Sequence, residues 1–346
     1  MLLQRLSEAH GVSGREDEVR SIIIPEIRDR VDGCRTDGVG NLIARKTGTG
    51  ASPLRVLLAA HMDEVGLMIT LVEDSGLLRF AKVGGIDDRV LPARTVLIGP
   101  TRVPGVIAMK PVHLTDAAER NKVVESKQLG IDIGASSKAE AEKLVQRGDT
   151  AVFASSFRSL AGEGSSWRTV QGKAFDDRAG CALLVELLKE RFPFELSAAF
   201  TVQEEVGLRG AKVAAYAEDP AAAVVLECTG ANEVPTSLDV NPSTRVGGGP
   251  AITIRDTSFI ADPRLVELFG STARRAGIAH QYKQPNIGGT DAGAIQRARA
   301  GVPSITISVP ARYIHSPAAI MDLRDFDAAL ALLREALPGL PQALSA

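Results

Sequence analysis

Apolar spacing along the chain changes texture twice. In the first stretch, MLLQRLSEAHGVSG carries Arg5, Glu8 and His10 where a leader peptide would need an apolar run, so it reads as a short amphipathic helix. Ser13 to Arg30 is predicted helical. Ser13 with Glu16 three residues on is a capping signal, and Val19, Ile22, Ile23 and Ile27 follow at helical spacing. Asn41 to Lys46 reads as a short strand, and the unbroken apolar run Leu54 to Ala60 as a buried one.

Between about residues 67 and 165 the pattern shortens. The segments Leu67–Leu71, Leu78–Val83, Thr95–Leu97 and Gly105–Ala108 alternate with Gly, Pro and Asp turns, interrupted by one predicted helix over Ser137–Gln146. This predicts a small all-β unit of barrel type, with an extension of the main sheet as the alternative. After residue 170 the texture becomes α/β. Asp177–Glu190 places Cys181, Leu184, Leu187 and Leu188 on one helical face, with further helices at Arg264–Ala276 and Leu323–Ala336. Strands are predicted at Ser197–Val202, Ala222–Leu226 and Ser304–Val309. Strands alternating with helices predict a mostly parallel sheet covered on both faces. Leu54–Ala60 belongs to that sheet, which makes the β unit an insertion: residues 1–66 and 166–346 form one domain and residues 67–165 the other. No internal repeat or linker-like segment stands out.

Composition narrows the function classes. The 346 residues hold 40 Lys plus Arg against 42 Asp plus Glu, a net charge of −2, which argues against a polybasic nucleic-acid binder. No uncharged stretch approaches the roughly 18 apolar residues needed to span a bilayer. The three cysteines, Cys34, Cys181 and Cys228, have no paired spacing. A reducing compartment and a cytoplasmic location are expected.

Candidate chemistry gathers at strand ends. Leu54–Ala60 runs into His61-Met62-Asp63-Glu64, Ser197–Val202 into Gln203-Glu204-Glu205, and Ala222–Leu226 into Glu227. A short loop after Ser304–Val309 reaches His315, and Asp176 sits where a loop enters a helix. In open α/β sheets the carboxyl ends of the strands form the ligand edge. Each residue alone has a plainer reading: a hydrogen-bonding His, a solvated pair of Glu, an Asp capping a helix. Together they would cluster like charges without compensation. His61, Asp176, Glu205, Glu227 and His315 offer nitrogen and carboxylate oxygen without thiolate, a set that suits zinc, cobalt or manganese. Five ligands are too many for one tetrahedral ion with an open position, and they suit two ions bridged by a carboxylate. A turn could bring both Glu204 and Glu205 into the site, one as ligand and one as general base.

Gly247–Gly249 lacks the Lys-Ser/Thr of a phosphate loop and reads as a turn before a strand. Gly288–Asp291 reads as a capped turn or as a substrate-facing loop. His113 in the β unit is expected to be structural or interfacial. Cys181 and Cys228 are expected to be buried small apolar residues.

The segments GVSGRE, GVGNLIA, AAHMDEVGLMI, VGGIDDRVLP, LGIDIGASS, GKAFDDRAG, TVQEEVGLRGA, GGTDAGAIQ and VPARYIHSP occur in this order. In these segments the chain resembles the M42 family of metallo-aminopeptidases, which includes tetrahedral and glutamyl aminopeptidases, over essentially its whole length. The resemblance implies an α/β peptidase domain with a β-barrel inserted after the HMDE segment, and two divalent ions, zinc or cobalt. It implies His61 and Glu227 on one metal, His315 and Glu205 on the other, and Asp176 between them. Glu204 would be the general base, and Asp63 would orient His61 from behind. Glu227 stands where many members have Asp. The expected activity is removal of N-terminal residues from peptides by a homo-oligomer, commonly a dodecamer. The alternatives are a di-metal amidase or deacylase on small N-acyl compounds, and an inactive assembly-forming homologue. The N-terminal side chain preferred is left open.

Overall fold

A computed structural model describes the chain except residues 51, 53, 161, 163, 166, 234–242, 284–287 and 346. Four strands run parallel at the centre of the main sheet, in the spatial order Glu195–Thr201, Arg55–His61, Ala222–Gly230 and Ser304–Arg312. Antiparallel strands flank both sides. Leu42–Lys46 and Gly33–Thr36 lie beyond Glu195–Thr201, and Ala319–Asp322, Thr169–Gly172 and Arg158–Ser159 lie beyond Ser304–Arg312. Ala251–Thr253 also pairs with Ser304–Arg312, and Gln281–Lys283 pairs with it in turn.

Every residue of Ala222–Thr229 is buried. Successive side chains on a strand point to opposite faces, so both faces of the sheet are covered there. That is why the central strands read as unbroken apolar runs rather than alternating ones. The helix Phe175–Leu187 packs against Ala222–Gly230 and Arg55–His61. All of its residues except Asp176 and Glu186 are buried.

The inserted β unit is a closed antiparallel barrel of six strands: Gly66–Val72, Leu78–Val83, Gly130–Asp132, Val103–Ala108, Thr95–Ile98 and Thr150–Phe153, in order around the barrel. It encloses its own apolar core, with Leu67, Ile69, Leu78, Val96, Ile98, Ile107 and Ile131 inside. Closure leaves no unpaired sheet edge.

Two local expectations change. The helix predicted from Ser13 begins at Asp17, and Ser13 and Glu16 form no capping box. Ser13 donates to Asp63 instead, and Glu16 accepts from the Gly14 and Gln203 N–H groups, so both serve the chain around the site. The helix expected over Ser137–Gln146 is regular only over Lys138–Ala141. The Gln146 N–H turns to the Asp149 carboxylate. Gly247–Gly249 is a turn before the strand Ala251–Thr253, held by both carboxylate oxygens of buried Asp325.

A buried charged cluster ties the elements beneath the sheet edge. Glu64 accepts from Lys173 at 2.8 and 2.9 Å and from Arg178 at 3.2 Å. Lys173 also donates to the Ala9 carbonyl and Arg178 to the Leu6 carbonyl, which anchors the first helix, Leu2–Glu8, to the segment that carries Asp176. Burial pushes the Lys173 ammonium down to about 8.

Candidate metal centre

The strand Arg55–His61 ends on His61, 1% exposed, with its ring at the carboxyl edge of the parallel sheet. His61 Nε2 lies 3.2 Å from Asp176 Oδ1, 3.8 Å from Glu227 Oε2 and 3.9 Å from Glu204 Oε2. The other oxygen of Asp176 faces His315 Nε2 at 3.3 Å, and His315 Nε2 is 3.2 Å from Glu205 Oε1. One carboxylate therefore spans two imidazoles that arrive from distant parts of the chain. Glu227 comes from the strand Ala222–Gly230, directly beside the His61 strand.

The remote nitrogens of both rings are fixed. His61 Nδ1 faces the Asp63 carbonyl at 3.1 Å and the Asp63 carboxylate at 3.4 Å. His315 Nδ1 faces the Gly85 carbonyl at 2.9 Å. A ring whose Nδ1–H is held this way presents Nε2 as a free donor pair, the usual second partner of a metal-binding imidazole. Gly85 lies just past the barrel strand Leu78–Val83, so the insertion reaches into the site. Neighbouring Gly84 has φ +80°, and a Cβ there would sit 2.8 Å from a Val65 methyl and 3.3 Å from Glu205 Cβ. Glycine is needed at that approach for both reasons.

Glu204 and Glu205 both turn into the site because the chain bends sharply after the strand Glu195–Thr201, with Gln203 at φ +57°. Asp63 holds that bend. Its Oδ1 accepts the Glu204 N–H at 2.9 Å, and its Oδ2 accepts the Glu205 N–H at 3.1 Å and the Ser13 hydroxyl at 2.6 Å. Asp176 is no helix cap. It and Asp177 have non-helical backbone angles inside Phe175–Leu187, and the peptide bond between them is cis.

The sheet edge thus brings together every site residue expected from the sequence: His61, Asp63, Asp176, Glu204, Glu205, Glu227 and His315. It adds two carboxylates outside that set, one of them in the Gly288–Asp291 segment that the sequence reads as a capped turn or a substrate-facing loop. Asp177 accepts the backbone N–H groups of His61 and Gly180 and so anchors the end of the His61 strand. Asp291, from the GGTDAG segment, takes the Thr201 hydroxyl at 2.5 Å beneath Glu204. The adjacent Asp in FDDRAG was the available signal for the first. For the second, only the fold shows where the segment lands. His113 is exposed on the barrel, and Cys181 and Cys228 are buried.

The electrostatics of this cluster call for cations. Burial lifts the Glu204 carboxyl well above its ordinary range, opposed by His61 and reinforced by Asp291, Glu205 and Asp176. Burial likewise raises Glu227 and Glu205, with Asp177 adding to the first and Asp176 to the second. Burial brings Asp291 up to about 6. The histidines move oppositely to what burial alone would do: hydrogen bonds to Asp176 and Glu205 carry His315 to about 11, and those to Asp176 and Asp63 lift His61 well above its usual value. Crowded buried carboxylates and the imidazoles beside them hold cations, protons included, more tightly than isolated groups do.

The donor set fits metal. Ligand atoms of His61, Asp176 and Glu205 lie within 4.8 Å of one another, as do those of His61, Asp177 and Glu227. Glu227 Oε1 is buried with no hydrogen-bond partner among the described residues. Nitrogen and carboxylate oxygen without thiolate is the chemistry of zinc, cobalt or manganese.

A stability prediction follows from these shifts. Carboxyls raised in the folded state lose stability as pH climbs above their ordinary range, and raised histidines lose theirs as pH climbs from about 6.5 toward the folded values. Both signs agree, so metal-free protein weakens as pH rises, and cations reverse the loss. Calorimetry should show the increase in Tm on zinc loading to be larger near pH 8 than near pH 5.5. An increment independent of pH would contradict the ligand set.

The cluster floors a cleft of about 550 Å³, walled by Leu208, Cys228–Gly230, Asn232, Lys283, Gly288–Thr290 and Ile314. Gly288–Thr290 therefore faces the cleft as a loop.

A family model described as M42 glutamyl aminopeptidase matches residues 40–332. The lysyl aminopeptidase of Pyrococcus furiosus is 31% identical over 349 residues, covering 97% of this chain and 97% of its own. Among solved structures, a TET aminopeptidase from a marine-sediment thaumarchaeote superposes with a TM-score of 0.94 at 37% identity, covering 99% of this chain and 97% of its own. The TET1 peptidase of Pyrococcus horikoshii, which can assemble into a tetrahedron or a large octahedral shell, has a TM-score of 0.84 at 38% identity, with 97% and 98% covered. Among the described residues, no helix is long and apolar enough to cross a membrane.

Proposed function

The chain belongs to the M42 aminopeptidase family, and on that premise we propose that it removes N-terminal residues from peptides in the cleft above His61, Asp176 and His315. Peptidases of this family are metal-dependent. His61 and Glu227 would hold one divalent ion, His315 and Glu205 a second, and Asp176 would be shared. The observation that carries this is the Asp176 carboxylate spanning the two Nε2 atoms at 3.2 and 3.3 Å. Two such ions supply Lewis acidity to the scissile carbonyl and acidify the attacking water. Zinc and cobalt both suit the ligands.

The chain's own groups do the rest. Glu204 projects into the cleft beside His61 but is not needed as a ligand. Its raised carboxyl suits a base that takes a proton from water and returns it to the leaving amine nitrogen. Asp63 is a positioning residue. It holds the Glu204–Glu205 bend through both oxygens and the His61 ring through Nδ1, so base and ligand keep a fixed relation. Asp177 is spent on backbone N–H groups, which leaves it supporting the site rather than ligating.

An amidase or deacylase on N-acyl compounds would use the same water chemistry, and the free α-amine separates the two readings. Chromatography of digests should show a peptide shortened stepwise from its N-terminus while its N-acetylated form stays intact. Turnover of the acetylated form alone would favour the deacylase. We also infer a homo-oligomer, from the shells formed by the TET1 relative. Light scattering at micromolar concentration should give a multiple of the 36.5 kDa chain mass, and a monomer would contradict it.

A further inference from the structure

Two buried polar atoms without partners belong to neighbouring residues at the metal end of the sheet. Glu227 Oε1 and the Ser308 hydroxyl have no hydrogen-bond partner among the described residues. Glu227 is 3% exposed and Ser308 1%. The two are register partners on the adjacent parallel strands Ala222–Gly230 and Ser304–Arg312. Direct partners in a sheet point to the same face, with their strands about 4.8 Å apart. A serine hydroxyl and a glutamate side chain together reach across that spacing.

The neighbouring strands fix which face this is. Thr201 is the register partner of His61, and Val225 is that of Ala59. Residues two apart on a strand share a face, so His61, Glu227 and Ser308 form a row across three strands. Thr201 donates to Asp291, and the Thr306 and Thr290 hydroxyls meet at 3.2 Å, which places the row beneath the segment leading into the helix Ala292–Gln296. Glu227 turns its other oxygen toward the cluster, with Oε2 3.8 Å from His61 Nε2. Ser243 and Thr253 also carry buried hydroxyls without a partner among the described residues. Neither is a register partner of Glu227.

We propose that the Ser308 hydroxyl donates to Glu227 Oε1 and thereby positions this carboxylate as a metal ligand. Ser308 is a positioning residue, acting on the metal through Glu227 without ligating it. This rests on the two-ion reading above and adds a residue to it. An unmet hydroxyl and an unmet carboxylate oxygen each carry a desolvation penalty in the core, and one hydrogen bond between them relieves both. Glutamate has one more rotatable bond than aspartate, so a pinned second oxygen removes rotamer freedom that metal binding would otherwise have to freeze. A hydroxyl suits the task because it is a neutral donor. It leaves the negative charge of the carboxylate to the ion, where a lysine or arginine would compete with it.

The test titrates metal-stripped wild type, Ser308→Ala, Ser308→Thr, Glu227→Ala and the double variant Glu227→Ala with Ser308→Ala. Zinc is added against a chromophoric chelator, and the Tm of each protein is recorded without metal. Loss of a hydrogen bond behind a metal ligand costs about 10- to 100-fold in metal affinity. Ser308→Ala should show that loss for one of the two ions and none for the other. Its metal-free Tm should match or exceed that of wild type, because a buried hydroxyl without a partner is removed. A serine that merely packed the sheet would lower that Tm and leave zinc affinity alone. Ser308→Thr keeps the hydroxyl and should bind both ions as wild type does. In the Glu227→Ala background, adding Ser308→Ala should change zinc affinity by less than about twofold. Wild-type affinity for both ions in Ser308→Ala, or an equal loss in Ser308→Ala and Ser308→Thr, overturns the proposal. So does a loss that persists undiminished in the Glu227→Ala background. Wild type that binds no zinc contradicts the metal reading instead and takes the role of Ser308 with it.

Discussion

Replacing Glu204 by Gln should lower kcat by about a thousandfold while both metals stay bound. The substitution keeps shape and the Glu204 N–H bond to Asp63, because that bond is made by backbone. It removes the one group in the cleft proposed to accept a proton and return it. Removal of a positioned general base costs roughly 10²–10⁴ in rate, and a thousandfold corresponds to about 4 kcal/mol of transition-state stabilisation. KM should change little, since no ligand is lost. Steady-state kinetics with metal analysis of the same preparation check this. Near-normal turnover would mean that the base lies elsewhere, and Asp291, buried beneath Glu204, would become the next carboxylate to test.

Asp176→Ala should be more damaging and different in kind. Each Asp176 oxygen serves a different histidine, so its loss opens both halves of the cluster together. Metal content should fall well below that of wild type, and activity should drop by more than about 10³-fold through lost Lewis acidity. The cost to stability should be modest in metal-free protein. Removing one of several crowded carboxylates relieves repulsion on Glu204, Glu205 and Glu227. The paired signature is therefore metal lost with the fold retained, against metal retained with turnover lost for Glu204→Gln. Full metal content in Asp176→Ala would show that the histidine–carboxylate pairs hold their ions independently.

Strand ends were the legible part of this protein. Leu54–Ala60 and Ala222–Leu226 are apolar because both sheet faces are covered, and a polar residue at the end of such a run has few reasons to be there except the ligand edge. His61 and Glu227 announce themselves in that way. The barrel was legible as a change of texture, since short β-branched segments between turns fit a closed antiparallel unit better than a helix-covered sheet. Less could be read where a residue's partner is remote. Ser13 and Glu16 have the spacing of a capping box, yet their partners are Asp63 and the Gly14 and Gln203 N–H groups. Local spacing cannot see a tertiary competitor for the same hydrogen bonds. Gly85 offers His315 only a carbonyl, which every residue has. Strands as short as Thr169–Gly172 and Ala319–Asp322 have too few residues for a period to show.

The central claim is that a metal cluster built on His61, Asp176 and His315 performs aminopeptidase chemistry. The most direct measurement strips the protein with a chelator, verifies the loss by elemental analysis, and follows aminoacyl-nitroanilide hydrolysis as zinc or cobalt is added back. The account predicts negligible activity in the stripped protein and recovery that saturates near roughly two equivalents per chain. Undiminished hydrolysis by verified metal-free protein would contradict it.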